Sequence, residues 1–422
     1  MLQPSRLRFA DLFAGAGGLS VGFFLANHAT IQYQPVLVID VDPKAVKGYE
    51  TNVAWLKENA ASLISTMPRI LKQTVESADI VALLDEVGIE KGSLDLLIGG
   101  PPCQGFSPAN RQSKKKNRNE LNDLVRVFLN KVQDARPKMF LLENVQGVQW
   151  TEPTEQMVVV PQQPSYLSEE NTNSVPIRVK DFLTNTARAI GYNVWVGILD
   201  AAKYGVPQHR MRFFLFGVRS DLMEPLATVD LGKYLTKHEK EEYVTVSEAI
   251  EDLPNIDNGE KWEGSDYHPI TNDYILGIRK FMQNGELHDH FATKHDEYVI
   301  ERFSHIPQGG NWSSIRDLMT NYKNIDKTHS NIYRRLISKS PSHTISHYRK
   351  AMTIHPTQDR GLSFREACRL QSFPDWFRFN GGTDAIQQQL ANAVPPLLAS
   401  TVAYAIADFW CDLCNALTPT EK

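Results

Sequence analysis

The stretch LRFADLFAGAGGLSVGFFLA, residues 7–26, decides the fold of this chain. Its first part, Leu7 to Phe13, is an apolar run of the length that favours a short buried strand. Residues 14–18 are rich in glycine and predict a tight turn, and Leu19 to Ala26 has a helical pattern. A strand, a glycine turn and a helix in this order form the opening unit of a doubly wound α/β fold.

A second predicted strand follows this unit and ends in an acid. Pro35 to Ile39 is apolar, and Asp40 comes at about the distance at which such folds place a carboxylate on a cofactor ribose. The loop Gly15-Ala16-Gly17-Gly18 lacks the last glycine of the dinucleotide fingerprint, because Ser20 stands in its place. NAD is therefore disfavoured, whereas S-adenosylmethionine needs close approach of the backbone without a pyrophosphate site.

The alternation of strands and helices continues along the chain and is interrupted twice. Further strands or strand ends are predicted at residues 79–80, 94–98, 138–145, 193–199 and 212–218, with helices at 121–132, 181–190 and 363–371 and after Pro396. Residues from about 151 to 178 are rich in Pro, Gln, Ser and Asn, which predicts an inserted surface loop. The periodicity is weak over 220–345. We expect a mixed sheet with helices on both faces in 1–219, a smaller irregular domain in 220–345, and a return to the first domain in 346–422.

Composition favours a soluble globular protein of more than one core. The chain has 422 residues, of which 42% are hydrophobic and 22% charged, and its formal net charge is −4. Any nucleic-acid surface must therefore be locally basic. Neither a signal peptide nor a membrane span is predicted, and four cysteines without framework spacing suit a reducing cytosol. Cys411 and Cys414 have no second pair of ligands at zinc spacing, so no metal site is predicted.

A cysteine on a rigid turn is the strongest candidate for chemistry. Cys103 follows Gly100-Pro101-Pro102, directly after an apolar run, and the two prolines remove backbone donors and stiffen the approach. A single cysteine in such a place is more often buried and inert than catalytic. Two further groups change that balance, since Glu143-Asn144-Val145 closes another apolar run and Gln208-His209-Arg210-Met211-Arg212 follows it in sequence order.

Together these motifs resemble the catalytic signature of the C5-cytosine-specific DNA methyltransferases of the bacterial restriction-modification or phage-defence type. The resemblance implies that the Cys103 thiolate adds to C6 of cytosine, because C5 becomes nucleophilic only when electron density is pushed across the ring. It also implies an acid at N3, Glu143, and a cation at O2, Arg212. Arg210 would brace Glu143 or the same oxyanion, and Asn144 would orient the neighbouring backbone.

The resemblance also implies a site for S-adenosylmethionine, with S-adenosylhomocysteine as the product. Phe13 and the glycine loop would pack on the cofactor, Asp40 would hold the ribose hydroxyls, and Asp79 with Ile80 would take the adenine edge. Val41 stands where some members carry a tryptophan. Residues resembling the tenth family motif would return to close the pocket. The cofactor residues expected in this way are Phe13, Gly15, Gly17, Gly18, Asp40, Val41, Asp79, Ile80, Pro102, Leu124, Asn392 and Val394.

Double-stranded DNA is the partner that the resemblance implies, with the recognition elements in 220–345 supported by 346–422. A helix around Arg360 to Pro374 resembles the ninth family motif. Methylation at C5 requires the cytosine to leave the helical stack, so two lobes with a cleft are expected. The residues expected to contact DNA are Gln104, Ser107, Lys114, Lys115, Lys116, Arg118, Asn144, Arg334 and Arg335.

Three other readings remain open at this stage. A tRNA cytosine methyltransferase would have the same chemistry on another acceptor, a silent DNA-binding relative would keep only the fold, and an NAD-linked oxidoreductase is the weakest reading. We expect a monomer in the bacterial cytoplasm, associated with the nucleoid through DNA. Any restriction nuclease or defence partner would be a separate chain.

Overall fold

The described residues form a mixed sheet of seven strands in the order β3-β2-β1-β4-β5-β7-β6. The computed structural model describes residues 5–102, 124–149, 178–224, 226–262, 264, 267–269, 272–282, 286–320 and 332–417. The strands are β1 (Ser5–Leu12), β2 (Ile31–Asp40), β3 (Arg69–Lys72), β4 (Leu96–Gly99), β5 (Met139–Val145), β6 (Tyr192–Asp200) and β7 (Met211–Arg219). The strands β1 to β5 run parallel, and β7 lies antiparallel between β5 and β6.

The described part of the chain forms twelve α-helices, of which six pack on the sheet. They are α1 (Gly18–Leu25), α2 (Pro43–Asn59), α3 (Ile80–Asp85), α4 (Leu124–Ala135), α5 (Val179–Ala189), α6 (Gly232–Leu235), α7 (Val246–Ile250), α8 (Asp273–Ile278), α9 (Glu297–Ser304), α10 (Phe364–Leu370), α11 (Thr383–Asn392) and α12 (Pro396–Leu417). Alternation along the strands gives the sheet two apolar faces. One face packs against α1, α2 and α12, and the other packs against α3, α4 and α5. The mixed sheet with helices on both faces is confirmed.

The C-terminal helix α12 lies against α1, the first helix of the chain. A Cβ on Gly22 would come within 2.3 Å of Cβ of Ala399, so the two helices cross where only glycine fits. The hydroxyl of Tyr33 donates to the carbonyl oxygen of Ala403 at 2.7 Å. The segment Thr383–Leu417 has the length and apolar composition of a membrane span, but 67% of its most apolar window is buried inside the protein. This segment therefore contains a core helix.

The region 220–345 is divided between two apolar cores. Most of the buried apolar side chains between residues 229 and 287 belong to the large core that α1 and α12 share. A second, smaller core forms farther along the chain. Its buried members are Val299, Phe303, Ile306, Ile315, Met319, Tyr333 and Ile354. Residues 220–345 therefore contribute to both of these cores.

Two elements near the sheet edge differ from the sequence expectation. Asp79 and Ile80 were predicted to end a strand, but Asp79 caps α3 and accepts a hydrogen bond from the backbone N–H of Ala82 at 3.1 Å. The edge strand β3 and the helix α2 were not predicted. The predicted insertion at about 151–178 lies almost entirely outside the described residues.

Candidate active site

Three acids lie on one face of the sheet, at the edge where the parallel strands end. Asp11 is near the end of β1, Asp40 ends β2, and Glu143 is near the end of β5. Phe9, Val38 and Leu141, two positions before these acids, all belong to the same apolar core, which places the acids on the face of α1 and α12. The carboxyl edge of an open α/β sheet is where ligands bind.

The glycine loop after β1 turns tightly and leaves open space beside it. Phe13, Gly15 and Gly17 have positive φ angles of 60, 54 and 94 degrees, and Gly17 precedes the first turn of α1. A Cβ on Gly15 would meet no atom within 4 Å. At Gly17 a Cβ would instead approach the ring of Tyr49 to 2.7 Å, so a larger residue would clash there.

Asp40 holds this loop while keeping oxygen lone pairs for a ligand. The backbone N–H of Gly15 donates to its Oδ2 at 2.7 Å, and that of Asp42 donates to its Oδ1 at 2.8 Å. Burial raises the pKa of Asp40, against the lowering effect of these hydrogen bonds. Each carboxylate oxygen can accept a second hydrogen bond. With the apolar side chain of Val41 62% exposed next to it, the site fits a ribose and an adenine ring, as S-adenosylmethionine would require.

A buried series of side-chain hydrogen bonds lies next to the glycine loop and joins α2, α1 and β1. The hydroxyl of Tyr49 donates to Oγ of Ser20 at 2.9 Å, and Ser20 donates to Oδ2 of Asp11 at 2.5 Å. Among the described residues, Oδ1 of Asp11 is buried without a hydrogen-bond partner. Burial raises the pKa of the Asp11 carboxyl to about 7, and the charge of Asp40 adds to the effect. This series of hydrogen bonds was not predicted from the sequence, although an acid inside an apolar strand was a signal for it.

The turn between α11 and α12 contacts the same loop. A Cβ on Gly18 would meet the carbonyl oxygen of Val394 at 2.6 Å and Cβ of Ala393 at 3.2 Å. The exposed Asn392 accepts a hydrogen bond from Nε2 of Gln388 at 2.9 Å. The structure therefore brings one of the expected cofactor residues, Val394, to the glycine loop from a distant part of the sequence, with Asn392 two positions before it.

Other expected cofactor residues lie along the same edge of the sheet. Asp79 is exposed and Ile80 is buried at the start of α3. Leu124 is the first residue of α4, the helix that follows β4. Pro102 is exposed and is the last described residue of the turn after β4. Cys103 comes directly after it and lies outside the described residues.

The turn before Cys103 is held against the end of β5. Nδ2 of Asn144 donates to the carbonyl oxygen of Pro101 at 3.1 Å, and a Cβ on Gly100 would come within 3.1 Å of Oε2 of Glu143. Asn144 is only 2% exposed, so it positions this turn and is not placed to contact DNA as we had expected. The turn at residues 100–102, which precedes Cys103 in the sequence, thus lies beside Glu143.

Glu143 and Arg212 form a buried ion pair across two strands. Val145 on β5 lies opposite Arg212 on β7, which places Glu143 diagonally from Arg212 on the same face. Nε of Arg212 is 2.8 Å from Oε1 of Glu143, although its N–H is not aimed at that oxygen in hydrogen-bonding geometry. Burial raises the pKa of Glu143, and the charges of Arg212 and Arg210 lower it less. The carboxyl group is thus biased toward keeping a proton.

Arg210 makes different contacts from those expected. It is 1% exposed, and its guanidinium donates to the carbonyl oxygens of Ile345 at 3.0 Å, Ala391 at 2.6 Å and Ala393 at 3.0 Å. Its charge acts on Glu143 from a distance, but these hydrogen bonds hold backbone segments together. These hydrogen bonds make Arg210 a link between segments, a role that the sequence did not indicate.

Arg335 is also not available to DNA. It is 6% exposed, and its guanidinium donates to four carbonyl oxygens and to the carboxylate of Asp359. Arg334 is half-buried beside His343, and burial together with the charge of Arg334 lowers the pKa of His343 to about 4. The other expected DNA contacts lie outside the described residues. They are Gln104, Ser107, Lys114, Lys115, Lys116 and Arg118.

The fold and the site define a class of protein. The strand order with an antiparallel β7, the glycine loop facing an acid, and the turn at residues 100–102 beside a buried glutamate are features of an S-adenosylmethionine-dependent methyltransferase. The model of the C-5 cytosine-specific DNA methylase family matches residues 7–408. The chain belongs to that family.

Relatives from bacteria and plants resemble this chain over most of its length. Type II methyltransferase M.DdeI from Desulfomicrobium norvegicum is 32% identical over 418 residues, which cover 95% of this chain and 88% of the relative. Type II methyltransferase M1.HphI from Haemophilus parahaemolyticus is 29% identical, over 95% of this chain and 86% of the relative. DNA (cytosine-5)-methyltransferase 3 from Arabidopsis thaliana is 27% identical over 94% of this chain, which is 30% of the plant protein.

Solved structures show the same fold at lower identity. A prophage-encoded E. coli protein, named as a DNA modification methyltransferase, aligns with a TM-score of 0.68 and 22% identity over 96% of this chain and 99% of its own. The Dnmt2 methyltransferase of S. pombe aligns with a TM-score of 0.53 and 14% identity over 97% and 99% of the two chains. At these identities the likeness concerns the fold alone.

Proposed function

We propose that this protein transfers a methyl group from S-adenosylmethionine to C5 of a cytosine in double-stranded DNA, at a specific sequence. The buried pair of Glu143 and Arg212, beside the turn that leads into Cys103, is the observation that carries this proposal. Membership of the cytosine-specific DNA methylase family supports the choice of base and of nucleic acid. The chain's similarity to Type II methyltransferases supports a role in marking host DNA within a restriction-modification system.

In the proposed reaction Cys103 forms and later breaks a bond to the base. Its thiolate adds to C6, and the electron pair of the C5–C6 bond makes C5 nucleophilic while negative charge builds at N3 and O2. The cofactor, when bound, supplies the methyl group that C5 attacks. Loss of the C5 proton then returns an electron pair to the ring and expels the cysteine thiolate, so the enzyme is regenerated.

Glu143 and Arg212 stabilise the charge that this addition creates. A protonated Glu143 donates its proton toward N3, and burial, which raises its pKa, favours that protonated form. Arg212, which lies against Glu143, would supply a fixed positive charge at O2. Burial of both groups strengthens these interactions because little water competes in the site.

The glycine loop and Asp40 would hold the cofactor beside the base. Gly15 leaves the open space, Asp40 offers lone pairs to the ribose hydroxyls, and Val41 offers an apolar surface to the adenine. Asn392 and Val394 would close the pocket from the turn against Gly18. Asp79 and Ile80 would contact the adenine edge from the start of α3.

The target strand would lie between the sheet edge and the recognition region. We propose that residues 1–219 carry the chemistry, that 220–345 read the DNA, and that 346–422 support the reader and complete the first domain. A flipped cytosine costs a few kcal/mol of lost stacking, which contacts in this cleft must offset. We further propose that the enzyme acts as a monomer in the bacterial cytoplasm, with any nuclease on a separate chain.

The proposal is tested by bisulfite sequencing of a cytosine-rich plasmid treated with the protein and S-adenosylmethionine. We expect protected cytosines in one recurring context, and none after treatment with Cys103→Ser, because the serine hydroxyl is a far weaker nucleophile. The variant should still bind S-adenosylhomocysteine, which calorimetry measures. Protection that persists in Cys103→Ser would reject the mechanism. No protection by a wild-type protein that binds S-adenosylhomocysteine would reject the DNA substrate, and the same assay on tRNA would then be decisive.

A further inference from the structure

The segment 207–212, which includes the start of β7, is paired with a strip of the recognition region, residues 342–345. Backbone hydrogen bonds of 2.9 and 2.8 Å join it to residues 342–345 as a parallel pair. The backbone N–H of Ile345 also donates to Oε1 of Gln208 at 2.9 Å. Gln208 is fully buried, so this contact lies inside the protein.

Arg210 connects the same segment to the far end of the chain. One guanidinium nitrogen, Nη1, donates to the carbonyl oxygen of Ile345 at 3.0 Å. The other, Nη2, donates to the carbonyl oxygens of Ala391 at 2.6 Å and Ala393 at 3.0 Å. A single buried cation therefore joins the strip at 342–345 to the turn between α11 and α12.

The segments that Arg210 joins lie next to residues of the proposed active site. The turn at 391–394 abuts Gly18 at the start of α1, so it forms a wall of the cofactor loop. Two positions after Arg210, the side chain of Arg212 lies against Glu143. The strip at 342–345 belongs to the region that we propose reads the DNA.

We propose that Arg210 is a positioning residue that couples cofactor binding to DNA binding. This inference rests on the proposed function, because it assumes that the two ligands occupy the cofactor loop and the recognition region. A buried guanidinium needs its acceptors, since a buried donor without a partner is costly. If either segment moves away, the buried guanidinium of Arg210 loses hydrogen-bond acceptors. The conformation in which both segments contact Arg210 is therefore more stable than one in which only one segment does. A ligand that orders one segment thereby favours the other, and the effect must be reciprocal.

The test measures how strongly one ligand changes the affinity for the other. The dissociation constant of a fluorescein-labelled DNA duplex is determined by anisotropy with and without saturating S-adenosylhomocysteine. The duplex carries the sequence context that the bisulfite experiment finds protected, or a fragment of the same plasmid if none is protected. For the wild-type protein we expect S-adenosylhomocysteine to tighten DNA binding by about 10-fold, within the usual range of allosteric coupling.

The variant Arg210→Lys should reduce this ratio to about one, because a lysine ammonium cannot span acceptors on both segments. Gln208→Met gives a second test if that variant folds poorly, since it keeps the arginine and removes the bond to Ile345; its ratio should also fall. Arg302→Lys is the matched control. Arg302 is 4% exposed and donates to the carbonyl oxygen of Leu318 in the small core, away from the cofactor loop. Its ratio should equal that of the wild-type protein.

The outcomes separate coupling from a merely structural role. Loss of folded protein lowers the active fraction but leaves the ratio of the two dissociation constants unchanged. A wild-type ratio of one, or a ratio in Arg210→Lys equal to that of the wild type, overturns the inference even if the wild-type protein methylates DNA. A wild-type protein that binds S-adenosylhomocysteine and DNA but transfers no methyl group would overturn the proposed function and leave the coupling to be judged by its own ratio.

Discussion

At the scale of single residues, burial and charge act in opposite directions on Glu143. The neighbouring Arg212 and Arg210 favour the carboxylate, whereas the loss of water around the group favours the protonated acid. Burial has the larger effect here, so the pKa is raised. An acid whose pKa is raised in contact with an arginine is suited to stabilising charge on a bound base.

Replacing Glu143 with glutamine should remove the proton donor and keep the shape of the site. We expect kcat for methyl transfer to fall by roughly 100-fold or more, the usual contribution of a general acid. Binding of S-adenosylhomocysteine should be unchanged, because the glycine loop is untouched. Single-turnover transfer of a tritiated methyl group to DNA measures the first quantity and calorimetry the second. Methyl transfer at the wild-type rate would exclude Glu143 as the acid.

Asp11 predicts a pH dependence of stability. Its pKa is raised from 3.8 to about 7 in the folded protein, so between about pH 4 and pH 7 the native state binds more protons than the unfolded state. This contribution to stability is present below pH 4 and is lost as the pH rises to 7. Asp11→Asn should therefore gain stability relative to the wild type over that range, by up to about 4 kcal/mol. Urea unfolding at several pH values measures the difference, and parallel curves would contradict the assignment.

The sequence could indicate candidate residues of the active site but not the side chains that support them. Cys103, Glu143 and Arg212 belong to motifs that are local in sequence, and the structure brings Glu143 and Arg212 together. The chain from Tyr49 through Ser20 to Asp11 joins three separate elements, so no local pattern could show it. The same reason explains why the hydrogen bonds of Arg210 were not foreseen.

At the scale of elements, the crossing of α1 and α12 depends on Gly22. An added Cβ would lie 2.6 Å from the carbonyl oxygen of Pro396 and from the backbone nitrogen of Ser400, and neither backbone atom can move freely. We expect Gly22→Ala to destabilise the protein by about 3 kcal/mol through overpacking. Thermal unfolding measures this change.

A second glycine serves as the control for that prediction. Gly277 lies within α8, and a Cβ there would meet no atom within 4 Å. Gly277→Ala should stabilise the protein by about 0.5–1 kcal/mol, because alanine loses less conformational entropy in a helix. Equal effects of the two substitutions would show that helix propensity, and not the helix crossing, determines the result.

Element prediction succeeded where apolar runs were long and failed at the sheet edge. The strands β1, β5 and β7 and the helices α1, α4 and α10 occur within a few residues of the expected positions. The edge strand β3 has four residues and none is fully buried, so it lacks the apolar signal. The helix α2 exposes much of its surface, which hides its period among polar residues. Asp79 precedes the apolar run of α3, as an N-cap acid does, whereas a strand-end acid such as Asp40 follows one.

At the scale of the whole molecule, the large core shared by α1 and α12 is distinct from the small core around Phe303. We therefore expect that DNA binding can be weakened without weakening cofactor binding. Phe303 is fully buried in the small core, beside Tyr333. Phe303→Ala should cost that core about 3–5 kcal/mol and weaken DNA binding, while leaving the binding of S-adenosylhomocysteine unchanged. Phe216→Ala, in the large core, should weaken both. Anisotropy and calorimetry measure the two affinities, and a parallel loss in Phe303→Ala would show that the two cores unfold together.

The packing of α12 against α1 also has a consequence for how the protein is made. The bond from Tyr33 to Ala403 joins positions 370 residues apart, so a ribosome adding about 5–20 residues per second needs on the order of 20 to 70 seconds to supply the second partner. Throughout that time the side of α1 that will contact α12 stays unpacked, and Val394 is not yet in place beside the glycine loop. The nascent protein thus becomes competent to bind its cofactor only after α12 has been synthesised and has packed against α1.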